Sequence, residues 1–428
     1  MALEANIVIA YDSTHASIPA GYSRYLALDG RYPLGAASGA AGGTTGGAAS
    51  HTHTETGHTH TQNSHTHTRS AGASAGNAGG TTTGVPLRNL PSDGHTHGSS
   101  NSAAATATNQ STTVTFNTTS NDPPYYEVIW ILSDGSADVP NNGMGWFNGT
   151  SAPTNFTQVN TDKFWKGAAA LGNAGGTGGS SDAHTHTQTG THNHTQDTHT
   201  HTASNSSAGS GTSLADNTAS TNDLQSTHTH LITLDTVVAT NQAASVTLQN
   251  GDGQPPFLKL MGIKNGSGSS QAATDGFVAL WFNSLGTIPT GWYLCDGTNT
   301  TRNLLDKFCK NQNASSELGT TGGADQHTHI ADAHTHTQDT HTHTLTSAGY
   351  GSPLNRDNTF DAGTATTASN AHTHTWTIGS TVAVNQNTTI TINNNTSKNN
   401  YPLYLTAAFI QKGLLSSIRL LAATGAGT

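Results

Sequence analysis

The chain has 428 residues, of which 32% are hydrophobic and 9% charged, with a formal net charge of −10. That is too few apolar side chains for sizeable ordinary cores, and Thr, Gly, Ser, Asn and Ala fill most of the remainder. Disorder usually pairs low hydrophobicity with high net charge, which is absent here. The acidic balance argues against a nucleic-acid partner, because neutralising phosphates takes clustered Lys and Arg.

Thr-rich sequence favours extended strands, so the expected fold is all-β and elongated, held together by something besides a core. Cys295 and Cys309 define no disulfide framework and read as buried free thiols. Met1–Glu4 has neither the basic region nor the apolar run of a signal peptide, and no apolar stretch is long enough to span a membrane.

In chain order the same landmarks recur three times. A Pro turn after Ile or Val comes at Ile18-Pro19, Val139-Pro140 and Ile288-Pro289, followed by an aromatic and a Gly turn at Tyr25…Asp29-Gly30, Trp146…Gly149 and Trp292…Asp296-Gly297. Each copy carries an alternating strand with Asn-Gln at 109–110, 241–242 and 385–386. It then closes on proline and an apolar strand at Pro124-Tyr125, Pro256-Phe257 and Pro402-Leu403. These bounds give repeats at 1–132, 133–264 and 276–412, a Gly/Ser linker at 265–275 and a tail at 413–428.

Between those landmarks lie the histidines, and 24 of the 25 form His-X-His pairs. The first copy has His51/His53, His58/His60, His65/His67 and His95/His97. The second has His184/His186, His192/His194, His199/His201 and His228/His230. The third has His327/His329, His334/His336, His341/His343 and His372/His374. Successive pairs start 7, 7 and 30 residues apart in the first copy, 8, 7 and 29 in the second, and 7, 7 and 31 in the third. A loose His-rich tract would not place four pairs per copy in register.

Residues i and i+2 of a strand project to one face, so each pair offers two imidazoles side by side. Three such strands around an axis supply six nitrogens. An octahedral shell of that kind suits Fe(II) or Ni(II) better than tetrahedral Zn. The spacing of seven is odd, so the strand must twist or bulge between pairs if all are to face one axis. Seven extended residues span roughly 23 Å at ~3.3 Å each. Nearby Glu55, Asp182, Asp197, Asp332 and Asp339 are candidates to hold the imidazoles or offset the ion's charge.

The segment Phe277–Lys310, with its apolar strand, Ile-Pro-Thr-Gly-Trp turn, Cys-Asp-Gly and Asp306-Lys307-Phe308, resembles the phage tail collar domain. The closing Asn400-Tyr401-Pro402…Phe409-Ile410-Gln411-Lys412 is similar to that family's final strand. The first two copies keep Leu28-Asp29-Gly30 and Asp162-Lys163-Phe164. Together with repeated His-X-His, this resembles the tail-fibre tips of myophages.

The resemblance implies a small collar, an intertwined needle of strands with metal ions on a threefold or pseudo-threefold axis, and a loop-rich head. The head would be formed by residues 69–94, 203–227 and 345–371, where Arg88, Tyr350, Arg356 and Phe360 are candidate receptor contacts. The family uses three copies of one chain, whereas here three copies sit in one. The expectation is a single-chain pseudo-trimer with about four ions; the alternative is a homotrimer of three serial needles. The implied function is a receptor-binding adhesin in the virion, at the distal tail fibre, outside the cell. Its partners would be a host surface glycan or outer-membrane component and another tail or fibre protein at the collar, without membrane insertion. Saturation by six histidines leaves no open coordination position, so no enzymatic activity is expected. A cellular His-rich metal-binding surface protein is the competing reading.

Overall fold

The computed structural model describes residues 2–55, 57–60, 62, 65, 67–71, 100–101, 113–169, 171–179, 183–184, 186–188, 192, 194, 201, 232–234, 245–249, 251–334, 336, 341, 343, 345–347, 353–354, 368–369, 376–378, 390, 392–393 and 400–413. The fold is all-β: strands make up 39% of it, and the helices among the described residues are 3-10 turns of three residues.

Three short strands open the copies: Ile7–Tyr11 (IVIAY), Gly143–Phe147 (GMGWF) and Phe277–Trp281 (FVALW). They read as continuous apolar runs because both faces are covered, as runs of this kind must be. Val8 and Ala10 enter one core cluster while Ile7, Ile9 and Tyr11 enter another. The opening strands pair antiparallel with one another, through Ala10 with Met144, Ile7 with Trp281, and Trp146 with Val278.

Three nine-residue strands close the copies: Tyr125–Ser133, Phe257–Asn265 and Tyr404–Lys412. Each serves two partners. Its second half runs antiparallel to the opening strand of its own copy, as in Ile9 with Ile131, Trp146 with Gly262, and Leu280 with Phe409. Its first half runs parallel to a four-residue inner strand of another copy. Tyr125–Ser133 pairs with Phe164–Gly167, Phe257–Asn265 with Phe308–Asn311, and Tyr404–Lys412 with Tyr32–Gly35. The exchange therefore runs from the first copy to the second, the second to the third, and the third back to the first. A closed eight-stranded β-barrel results.

The barrel concentrates the chain's few large apolar groups. Trp130, Trp146, Trp165, Phe164, Phe277, Phe308 and Phe409 are fully buried. Each contributes on the order of 1.5–3 kcal/mol relative to exposure, so the limited supply is spent in one place. Cys295 and Cys309 belong to this core as free thiols, and burial pushes both well above the ordinary thiol range.

The Asp-Lys-Phe text has a backbone explanation. Gly30, Asp162 and Asp306 take positive φ of 69°, 56° and 55°, the left-handed region that Gly and Asp tolerate best. The turn lets the next residue meet an inner strand of the following copy: Gly167 N–H donates to Arg31 O, Asn311 N–H to Lys163 O, and Gly35 N–H to Lys307 O.

One sequence landmark is misplaced in the second copy. Ile18-Pro19 and Ile288-Pro289 follow their opening strands, whereas Val139-Pro140 and its turn precede Gly143–Phe147, and Trp146 lies inside that strand. The true counterpart is Pro153, whose carbonyl accepts from Phe156 N–H as Pro19 does from Tyr22 and Pro289 from Trp292. Asn155, at φ 70°, stands where the other copies have Gly21 and Gly291. The linker is an ordered join: buried Asn265 donates to Val139 O and Ser269 O.

Outside the barrel, the strands carrying histidines alternate in the same cyclic order with the segments just before the closing strands, here termed the returning strands (around 114–120, 246–252 and 390–393). Ser50–His51 pairs with Thr119–Ser120, Phe116 bridges Gln188, Ala183–His184 pairs with Gly251–Asp252, Leu248 bridges Ala331, and Ile392–Asn393 pairs with Thr54–Glu55. Returning residues alternate apolar and polar, and Val114, Phe116, Val246, Leu248, Ile390 and Ile392 meet in a small core with Ala331.

Candidate metal centres

Burial along the first copy shows how an odd spacing is accommodated. His51, His53 and Glu55 are buried, then His58, His60 and Gln62, then His65 and His67. Within each group the period is two, and between groups it is three. Those offsets reset the strand's phase, so the pairs face inward despite starting seven apart.

The inward imidazoles assemble across copies. His51, His53, His184, His186, His327 and His329 form one cluster, and their ring nitrogens lie within 4.8 Å of one another in two overlapping groups of four. Twelve of the fifteen possible ring pairs touch. The three pairs that do not are His51/His329, His53/His184 and His186/His327. Twelve edges and three opposed pairs describe an octahedron. The first histidines of the three pairs form one face and the second histidines form the other.

His58, His60, His192, His194, His334 and His336 repeat the pattern with the same opposed positions. The third cluster contains His65, His67, His201, His341 and His343, and its described members follow the same scheme.

The distances fit an ion. In the first cluster Nε2 of His51 is 3.3 Å from that of His327 and 3.2 Å from those of His184 and His186, and His327 and His329 are 3.1 Å apart. An octahedron with such edges has its centre roughly 2.3 Å from each nitrogen, slightly longer than the ~2.0–2.1 Å of four-coordinate zinc.

The protonation pattern fits as well. His51 and His327 donate from Nδ1 to Asn121 Oδ1 and Asn400 Oδ1. Those amides are oriented by their own N–H groups on Ala48 O and Ala324 O. His186 donates to Asn117 O at 2.7 Å and His329 to Gln249 O at 2.8 Å. With the proton held on Nδ1, the Nε2 lone pairs converge on one point, an arrangement that a cation satisfies.

Burial holds the histidines below their ordinary value: His51 and His192 at about 4, and His53, His184 and His334 at about 3, with neighbouring imidazoles adding to the effect. These five rings are thus kept neutral and able to ligate. Several buried histidine groups are close enough to hold a metal ion, whose identity is open.

Of the acidic candidates among the described residues, Glu55 reaches a ring, accepting from His58 Nδ1 and from Val114 N–H. Asp332 accepts from Gln249 at 3.1 Å on the exposed side, and Asp182, Asp197 and Asp339 lie outside the described residues. The partners Asn121 and Asn400 escaped sequence reading because they sit about 70 residues from their histidines. The signal was present in the Asn four residues before the first and third closing strands; the second copy has Gly253 there, where a Cβ would lie 2.6 Å from His184 Nδ1.

His199, the fourth pairs (His95, His97, His228, His230, His372 and His374), the Asn-Gln landmarks and the contact candidates Arg88, Tyr350, Arg356 and Phe360 lie outside the described residues. The strands that follow the fourth pairs are nevertheless placed beside those that follow the third. Ser100–Asn101 and Trp376–Ile378 pair with Thr68–Ala71, and Ile232–Leu234 with Leu345–Ser347. No family model, curated protein or solved structure matches the chain.

Proposed function

We propose that the chain is a bacteriophage tail-fibre tip, a receptor-binding adhesin built as a single-chain pseudo-trimer around octahedral histidine-held ions. The observation that carries the metal reading is the twelve-contact pattern found in two clusters, with Nε2 lone pairs converging in each. Fe(II) fits six imidazoles and the implied bond length, and coordination supplies folding energy that the small core outside the barrel does not. The pairing of Tyr404–Lys412 with Tyr32–Gly35 supports one chain over three, because the ring of strand exchange closes without a partner.

The collar resemblance supports the placement in a virion, with the elongated needle projecting from the barrel and residues 69–94, 203–227 and 345–371 meeting a host glycan or outer-membrane component. The barrel end would hold the chain to another fibre protein. Full coordination leaves the ions structural rather than catalytic.

Native mass spectrometry tests the reading in one measurement. The expected species is one 44.0 kDa chain with about four divalent ions. A species of three chains overturns the pseudo-trimer, and a metal-free native chain that resists thermal unfolding overturns the role of the ions. Adsorption of the purified chain to cells or envelope extracts tests adhesion.

A further inference from the structure

The second cluster is unequal in its supports, and the inequality sits at one repeated position. Glu55 lies three residues before His58, Ala331 three before His334, and Gln188, in the copy with the longer spacing, four before His192. Each faces the returning strands. Glu55 presents two acceptors to two donors, Oε1 to His58 Nδ1–H and Oε2 to Val114 N–H. Gln188 has one acceptor, and Val246 N–H uses it, leaving the amide nitrogen 3.2 Å from His192 Nδ1. Ala331 offers nothing, and His334 Nδ1 is buried with no hydrogen-bond partner among the described residues.

We infer that Glu55 is the positioning and charge-balancing residue of the second metal centre, making that centre better suited than the first to a highly charged ion. This rests on the metal reading above. A carboxylate accepting at both oxygens fixes His58 in the tautomer whose Nε2 lone pair points at the ion. It also places one negative charge against an otherwise neutral ligand set, so a buried dication is left with a smaller net charge. The Nδ1 groups of His51, His327, His186 and His329 in the first centre meet neutral partners: Asn121, Asn400, and the carbonyls of Asn117 and Gln249. The two centres should therefore differ in reduction potential when iron fills both, with the second the lower.

The test uses the full chain loaded anaerobically with ferrous iron. Glu55→Gln, which installs the second copy's side-chain type, should speed release of one ion per chain to EDTA by about 10- to 100-fold, the usual effect of losing such a partner. It should also raise the potential of one iron while the others stay put. Gln188→Glu should do the reverse, slowing release and lowering the same potential. Asn121→Ala is the control: it loosens the first centre without moving the second centre's potential. Unchanged release and unchanged potentials in both Glu55→Gln and Gln188→Glu overturn the inference while leaving the metal reading intact. Failure of the unmodified chain to take up iron overturns both.

Discussion

His51 and His329 belong to the same cluster, come from different copies, and do not touch, while each touches the other four members. They are the opposed ends of one axis through the centre. A chelating pair thus never spans an axis by itself: each first histidine stands opposite the second histidine of a different copy. Losing one pair opens two axes at once.

Replacing His58 and His60 together by Ala should therefore empty the second centre rather than merely weaken it. The expected result is one ion fewer per chain by native mass and a loss of stability above about 1 kcal/mol, which for a chain of this size is a fall of at least ~1 °C in Tm. An unchanged ion count would show that the remaining four imidazoles suffice and that the octahedral reading is wrong.

Acid should unfold the histidine-bearing strands in a defined window. The neutral imidazole is favoured in the folded chain, where burial holds His51 at about 4 and His53 at about 3, against an ordinary value of 6.5. Unfolded chains bind more protons between those limits, so stability is fully present above pH 6.5 and drains away as pH falls toward 3–4. Ligation, which also needs the neutral ring, has the same sign. Thermal melts at stepwise pH check this, and a Tm that holds steady from pH 7 to pH 4 would refute it.

Stripping the metal should separate the two halves of the structure. The barrel has its own apolar core and should keep its melting transition after exhaustive chelation, whereas protection in the segments around His51–His67 should collapse. Hydrogen exchange with and without ions makes the comparison. Equal loss in both regions would mean that the barrel does not stand alone.

A size swap in the barrel offers a test of the cyclic exchange. Where the first copy's closing strand has Trp130 and the third's has Phe409, the second has Gly262, and a Cβ there would lie 2.7 Å from the Asn311 side chain. The inner-strand partners reverse the sizes: Gly167 and Gly35 serve the bulky pair, Asn311 the small one. Gly262→Phe alone should cost about 1–3 kcal/mol by overpacking. Adding Asn311→Gly should recover much of it, a coupling read by denaturant titration of the double-mutant cycle. Simple additivity would mean that the two positions do not share the space.

Much of the histidine register was legible because its units are paired and repeated: His51 with His184 and His327 follows from order alone. What escaped was anything set by the exchange between copies. No local pattern says that Tyr404–Lys412 prefers Tyr32–Gly35 to the inner strand of its own copy, because the three inner strands are alike in polarity. Matching text also misled at Val139-Pro140, where the Pro turn of the second copy had moved to 153 and the Gly after it had become Asn155. Glu55, Gln188 and Ala331 were hard to align because the second copy's spacing is eight instead of seven.

The ring of strand exchange inside one polypeptide changes what a single codon can do. In an assembly of identical subunits, any substitution near the axis is made three times, and a charge that helps once is forced to crowd itself. Here Glu55, Gln188 and Ala331 share one position with three chemistries, so each centre can be adjusted one side at a time.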